Sequence, residues 1–300
     1  MVNKDIVIIG SGIAGLTAAI YLKRANADFT VLEANKVGGQ LINLKEVENY
    51  PGFAKTSGND ILSSLFEQTS SLGIEVTKGS VQSILADPKG FKVVSDNELY
   101  LAKAVIVASG LARSRNPLPG EKEFLGRGVS YCATCDGSFF NNDDVVVYGN
   151  NNVAIEEALY LANLVKTLNF VVTGNELIGE PELINKVKAL PNVKLTYGKT
   201  ITQISGDMFG VSEVVLDDGS KIATHGVFPF TGNKSSAEFL SNLKPQMEGA
   251  FIVTDENMKT NIDGLYAIGD VRKKGLRQLV TAASDGAIAA LDANKFVKNK

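Results

Sequence analysis

The sequence predicts an α/β protein made of two Rossmann-like dinucleotide-binding domains, each a three-layer arrangement of helices around a mostly parallel sheet. Three observations carry this. An apolar run, Asp5-Ile6-Val7-Ile8-Ile9, enters a complete G-x-G-x-x-G at Gly10-Ser11-Gly12-Ile13-Ala14-Gly15. A second unit of the same shape, strand into glycine into helix into strand, begins at Asp144. The 300 residues, 44% of them apolar, are enough for two sizeable cores.

In chain order, the run at 5–9 reads as a buried parallel strand, because such strands are apolar on both faces. Gly10 permits the tight turn. Gly12 lets backbone amides approach a pyrophosphate at a helix N-terminus, where the dipole favours negative charge, and Gly15 lets helix and strand pack closely. A helical pattern continues to about Arg24. Phe29-Thr30-Val31-Leu32 is a second strand, ending in Glu33, 18 residues after Gly15, where an acid would hydrogen-bond a ribose.

The second unit comprises Val145-Val146-Val147-Tyr148-Gly149, a helix from about Val153 to Val165, and the strand Leu168-Asn169-Phe170-Val171-Val172. Its loop, Gly149-Asn150-Asn151-Asn152-Val153-Ala154, holds Asn151 at the middle glycine position. Asparagine tolerates positive φ better than most residues, but its side chain occupies space that a pyrophosphate would need. Two polar, proline-containing stretches, 113–120 and 242–245, read as crossovers. They define a discontinuous domain of residues 1–113 plus 245–300 around a middle domain of 114–244. The last third carries Leu265-Tyr266-Ala267-Ile268-Gly269-Asp270, a strand ending in Gly-Asp, and a long helix from about Leu279 onward.

Composition narrows the function. A net charge of −3 gives no reason to expect nucleic acid. No apolar run approaches the roughly 18 residues that span a bilayer, and no basic segment followed by an apolar one opens the chain, so the expectation is a cytoplasmic protein. The only two cysteines are Cys132 and Cys135, in Cys-Ala-Thr-Cys. Zinc needs about four ligands, and the chain adds one histidine, His225, so no metal site is expected. A structural disulfide would more usually clip a long loop. In a reducing cytosol the pair points to thiol–disulfide exchange. Taken alone, Gly38-Gly39 has a second reading as an ordinary loop, Asp136-Gly137 as a turn, and Gly269-Asp270 as a turn or helix cap.

Together these residues resemble the low-molecular-weight thioredoxin reductases, FAD proteins with two dinucleotide folds. The matching stretches cover nearly the whole chain: 10–15, Gly38-Gly39-Gln40-Leu41, Glu48-Asn49-Tyr50-Pro51-Gly52, Ala108-Ser109-Gly110, 132–137, Gly269-Asp270 and Arg277-Gln278. The resemblance implies that the first and last segments bind FAD. Gly12 to Ala14 would cradle its pyrophosphate and Glu33 its ribose. Gln40 and Asn49 would lie near the flavin, Asp270 would bond a ribityl or pyrophosphate region, and Arg277 and Gln278 would close over the ring. It also implies that Cys135 exchanges electrons with the flavin, Cys132 attacks the partner disulfide, Asp136 handles protons, the crossovers act as hinges, and the protein is a homodimer.

The match fails at the electron donor. NADPH-using members carry an intact second glycine loop and a His-Arg-Arg-type segment after its second strand. Here that segment is Val172-Thr173-Gly174-Asn175-Glu176-Leu177-Ile178-Gly179, without a cation for a 2′-phosphate. The pattern is most like the ferredoxin-dependent flavin thioredoxin reductases. The leading expectation is electron flow from reduced ferredoxin through FAD and Cys132–Cys135 to thioredoxin, with Lys273 and Lys274 as candidate cationic surface for an acidic ferredoxin. A nicotinamide-fed thioredoxin reductase, an FAD-dependent dithiol oxidase using oxygen and a redox-sensing interaction module are the alternatives.

Overall fold

The computed structural model describes residues 1–113, 117–231, 233–234 and 236–300. The chain divides into two compact units, Met1–Ala112 with Lys234–Lys300, and Arg113–Asn233.

The first unit is built on β1 (Val2–Ile9), which lies parallel between β2 (Phe29–Glu33) and β6 (Leu99–Val107). The alternation of strand side chains sends Ile6 and Ile8 to one core, and Val7 and Ile9 to another on the opposite face. This is why the segment is apolar throughout. The first core is filled by α1 (Ile13–Arg24), α2 (Gly58–Ser71) and the C-terminal helix Leu279–Lys298. Short β3 (Val76–Lys78) extends the sheet beyond β2. β4 (Val81–Asp87) and β5 (Gly90–Ser95) join β6 as an antiparallel meander, and Leu265–Ala267 pairs parallel with β6. Leu265–Ala267 was legible in the sequence. The meander is an addition that the two-unit pattern did not contain.

The second unit has a parallel four-stranded sheet in the order 193–197, 167–172, 144–149, 226–230, beside a three-stranded antiparallel sheet over 201–223. Its nucleotide-type helix spans Asn152–Ala162. The two chain crossings, Ala112–Arg113 and Asn233–Lys234, pair as a short ribbon.

The expected second crossover at 242–245 is displaced. Residues after Lys234 already belong to the first unit, because Ala237 and Leu240 are buried in the core of Val7, Ile84 and Val93, and Ser236 Oγ donates to the Gly110 carbonyl. Proline and polarity at 242–245 mark a surface turn after that anchor. Of the first expected crossover, Ser114, Arg115 and Asn116 lie outside the described residues. Among the described residues, no helix is long and apolar enough to cross a membrane.

The loop between β1 and α1 is the tightest point of the first unit. A Cβ on Gly15 would lie 2.0 Å from the Gly10 carbonyl oxygen, and one on Gly10 (φ +107°) 2.3 Å from that of Ala108. Both obstacles are backbone, so neither can rotate away. Gly15→Ala is expected to lower unfolding free energy by about 1–3 kcal/mol, read as an earlier denaturant midpoint by circular dichroism.

Candidate cofactor cradle and redox-active cysteine pair

Gly12 precedes α1 in an extended conformation (φ −70°, ψ −178°), and no side chain caps the helix. An added Cβ there would meet nothing within 4 Å. The helix N-terminus therefore opens onto free space, with first-turn N–H groups available to an anion. The other predicted residues gather around it. Gly38 N–H donates to the Ser11 carbonyl (3.1 Å), and a Cβ on Gly39 would lie 3.2 Å from Gly12 Cα. Gly39 opens the 3-10 turn containing Gln40 and buried Leu41. Ala108 N–H donates to the Ile9 carbonyl (2.8 Å), which holds the end of β6 and the following Gly110 beside Gly10. A Cβ on Gly269 would sit 3.1 Å from that of Ala14.

Glu33 stands where expected, at the end of β2. One carboxylate oxygen accepts from both the backbone and hydroxyl of buried Ser11 (2.8 and 2.7 Å), and the other from Asn35 N–H (2.9 Å). Asn49 Nδ2 donates to Gln278 Oε1 (3.0 Å), joining two residues 229 positions apart. Gln40 instead accepts from Asn43 on its own turn (3.2 Å). The Arg277 guanidinium lies 3.9 Å from the ring centre of Phe251, a partner the sequence did not suggest.

Asp270 is the electrostatic focus. Its Oδ1 is buried and accepts no hydrogen bond, with the Lys274 ammonium 3.9 Å away. Burial pushes its pKa up, partly opposed by Lys274 and Arg277. The turn bearing it is pinned by Asp285. One Asp285 oxygen accepts from Gly269 N–H and Lys274 Nζ (both 3.0 Å), the other from Arg272 (3.2 Å). Sequence reasoning missed Asp285; the available signal was an acid within the buried helical stripe Ala282, Gly286, Ala289 and Ala293. The same network corrects the expectation for Lys274, which is only 8% exposed and bound to Asp285. Lys273 lies on the surface, paired there with the exposed Glu248.

In the second unit, Cys132 and Cys135 form a disulfide. Cys132 caps the single turn α3 (Ala133–Asp136), and Cys135 N–H donates to Cys132 Sγ (3.1 Å). Ser130 Oγ donates to Asp136 Oδ2 (2.5 Å) and accepts from Cys132 N–H (3.1 Å), which ties the predicted proton-handling acid to the cysteine backbone. Preceding the pair, Tyr131 donates to buried Glu121 (2.8 Å). From helix α4 (Asn152–Ala162), Glu157 accepts from Ala133 N–H (2.7 Å). Among the described residues no cluster of His, Cys, Asp or Glu could hold a metal.

The loop before α4 shows what Asn151 does. Its backbone (φ −90°, ψ 173°) matches that of Gly12, so no positive φ is needed. Its Oδ1 accepts from Ala154 N–H (3.0 Å) and its Nδ2 donates to the Phe230 carbonyl (2.8 Å). The side chain thus fills, as a helix cap, the place left open at Gly12. The segment after 167–172 is tied to the same loop, with Ile178 N–H on the Asn150 carbonyl (2.6 Å) and Glu180 N–H on Asn152 Oδ1 (3.1 Å).

The family model for pyridine nucleotide-disulphide oxidoreductases matches residues 4–286. A thioredoxin reductase of Bacillus subtilis is 38% identical over 98% of this chain and 95% of its own length. The thioredoxin reductase structure from Streptococcus pyogenes has a TM-score of 0.91 at 35% identity, covering 99% of both chains. A ferredoxin-flavin thioredoxin reductase from Clostridium acetobutylicum has a TM-score of 0.56 at 30% identity, again over 99% of both. The chain belongs to the pyridine nucleotide-disulphide oxidoreductase family. Within it, the chain falls among the thioredoxin reductases, FAD-containing oxidoreductases. The open N-terminus of α1 and the Asp270 oxygen without a donor are features that a bound FAD would fill.

Two outcomes test this cradle. Gly12→Ala is expected to leave the denaturation midpoint of cofactor-free protein unchanged while the purified protein loses most of its flavin absorbance. Asp270 has a raised pKa in the fold, so as a free carboxylate it weakens the cofactor-free protein, and that loss is relieved as pH falls through the folded value. Asp270→Asn is therefore expected to raise the melting point of cofactor-free protein above neutrality, with the gain narrowing in acid, while flavin retention drops.

Proposed function

We propose that this protein is a thioredoxin reductase that passes electrons through FAD and Cys132–Cys135 to thioredoxin, with reduced ferredoxin as the donor. The observation that carries the donor assignment is Asn151. A side chain that caps its own helix stands in the space a pyrophosphate would need and takes the Ala154 N–H, a first-turn donor of the kind that the loop before α1 leaves open. The segment from Thr173 to Gly179 adds no cation for a 2′-phosphate, and its ties to Asn150 and Asn152 hold it across the loop.

In this reading the helix N-terminus from Gly12 to Ala14 holds the pyrophosphate, within the loop Gly10–Gly15. Glu33 holds the adenosine ribose, with Ser11 keeping its carboxylate in place. Gly39, Gln40, Leu41, Asn49, Ala108, Gly110 and Gln278 line the cofactor. Asp270 and Gly269 bond its central region, and Arg277, braced on Phe251, closes over the ring. Bound FAD supplies a carrier that accepts electrons one at a time and delivers a pair to a disulfide. Two electrons and two protons convert Cys132–Cys135 to two thiols, Cys135 being the one assigned to electron exchange with the cofactor. The Cys132 thiolate then attacks a thioredoxin sulfur, forming a mixed disulfide and releasing one thioredoxin thiolate. Cys135 attacks Cys132 Sγ, which restores the intramolecular disulfide and releases the second thioredoxin thiol. Asp136, oriented by Ser130, is placed to relay the protons. A pair that cycles in this way fits a reducing cytoplasm.

The exposed apolar residues Val280, Ile288 and Leu291 along the C-terminal helix support a homodimer as the working form.

Anaerobic titration of the flavin tests the donor. NADPH and NADH are expected to leave the visible spectrum unchanged, whereas reduced ferredoxin bleaches it and, with thioredoxin present, generates thioredoxin thiols. Cys132→Ser is expected to abolish those thiols while bleaching persists. Stoichiometric bleaching by NADPH would restore a nicotinamide donor, and oxygen uptake with a small dithiol alone would favour an oxidase.

A further inference from the structure

Asp285 has more partners than anchoring one turn requires. Its place is set by its neighbour in the C-terminal helix. A Cβ on Gly286 would lie 2.3 Å from the Ala14 carbonyl oxygen and 3.1 Å from Ala18 N, so this helix is seated backbone to backbone on α1. The Asp285 side chain, 7% exposed, is therefore fixed relative to the helix whose N-terminus opens at Gly12. Its Oδ2 accepts from Gly269 N–H and Lys274 Nζ (both 3.0 Å), and its Oδ1 from Arg272 Nη1 (3.2 Å). Arg272 is held a second time by Thr254 Oγ1 (2.7 Å). Lys274 lies between two acids. Its ammonium bonds Asp285, gives a second hydrogen bond to Thr281 Oγ1 (3.2 Å), and stops 3.9 Å from Asp270 Oδ1. An ammonium has three protons on a flexible stem, so a small movement would bring it onto that buried oxygen, which has no donor.

We propose that Asp285 is a positioning residue for the cofactor site: by holding the Lys274 ammonium against the C-terminal helix, it keeps Asp270 Oδ1 clear to accept a hydrogen bond from FAD. The inference rests on the reading that Asp270 bonds the cofactor, and it adds what keeps that oxygen open. The charged groups that meet here are Asp270, Arg272 and Lys274 on the turn and Asp285 on the helix, with Arg277 also acting on Asp270. Asparagine at position 285 keeps an oxygen acceptor for Gly269 N–H and removes the charge that holds Lys274. The carboxylate then nearest to Lys274 is Asp270. A lysine settled on Asp270 takes the acceptor that the cofactor needs, and charge-assisted bonds of this kind are the strong ones.

The test is FAD release from diluted holoenzyme, read as the flavin absorbance that stays with the protein through gel filtration at timed intervals. Asp285→Asn is expected to release FAD about tenfold faster or more, the effect of losing one hydrogen bond to a charged acceptor. Adding Lys274→Met to Asp285→Asn is expected to restore most of that loss, because no ammonium remains to occupy Asp270. Lys274→Met alone closes the cycle. A residue that only held the fold would show no such rescue. Should Asp285→Asn fail to fold, Lys274→Arg carries the test. Its longer side chain, with five donors, reaches both acids and is expected to speed release severalfold. A double variant that releases FAD as fast as Asp285→Asn would overturn the proposal, as would a Lys274→Arg rate equal to that of the unmodified protein. Asp270→Asn is measured in parallel. Fast release from it without rescue in the double variant would reject the role of Asp285 alone. Release at the unmodified rate would reject Asp270 as a cofactor contact, and the proposal with it.

Discussion

The contact between the Gly10 carbonyl and the Cα of Gly15 sets the geometry of the first unit. With no side chain at either position, α1 starts against the end of β1, and its N-terminus emerges at the edge of the sheet. The end of β6 closes in from one side, through Ala108. The C-terminal helix closes in from the other, where a Cβ on Gly286 would lie 2.3 Å from the Ala14 carbonyl. A loop held this tightly has little freedom, so the open space above Gly12 is a fixed feature. Gly39 and Gly269 then reach the same point because they too lack side chains. The Gly269 turn closes on itself through Arg272 N–H and is anchored to the helix by Asp285.

The second unit repeats this backbone with a different occupant. The residue before the helix is extended in both, and only the side chain distinguishes them. Asn151 satisfies its helix from within, a cap worth about 0.5–2 kcal/mol to the fold. An open loop depends on its ligand for the same hydrogen bonds. A bare glycine loop would leave α4 uncapped whenever no dinucleotide was bound, so the cap suits a protein that draws electrons from elsewhere.

Much of this was legible in the sequence because it is local. Strand, glycines, helix and Glu33 lie within one stretch of chain, and their spacing encodes their geometry. The cysteine pair is likewise a four-residue signal. The middle position of the second loop was visible too, although its role as a cap depends on the Phe230 carbonyl, which arrives from 79 residues away. What escaped reading is set by tertiary packing. The meander of β4 and β5 has no nucleotide signature. The second crossover was placed at a proline when the anchoring residues were Ala237 and Leu240, whose burial no pattern announced. Lys274 looked like one of a run of surface cations and is instead bound inside the fold by an acid that is itself internal. Glu157 reads, in Ile-Glu-Glu-Ala-Leu, as an ordinary helix residue, and its partial burial and its contact with Ala133 separate it from Glu156.

These two observations on α4 explain why a second dinucleotide-type unit persists on the function proposed above. The helix does two things at different points along its length. Its N-terminus is where a nucleotide would bind, and it is stabilised here by Asn151. Its middle carries Glu157, Tyr160 and Leu161, the surface on which the cysteine turn is seated. Giving up the first role does not relax the second, because α3 is a single turn with too few hydrogen bonds to hold itself. The redox pair needs a rigid helix beneath it, and a rigid helix needs a cap. Replacing the ligand by an asparagine keeps the platform while removing its dependence on a nucleotide.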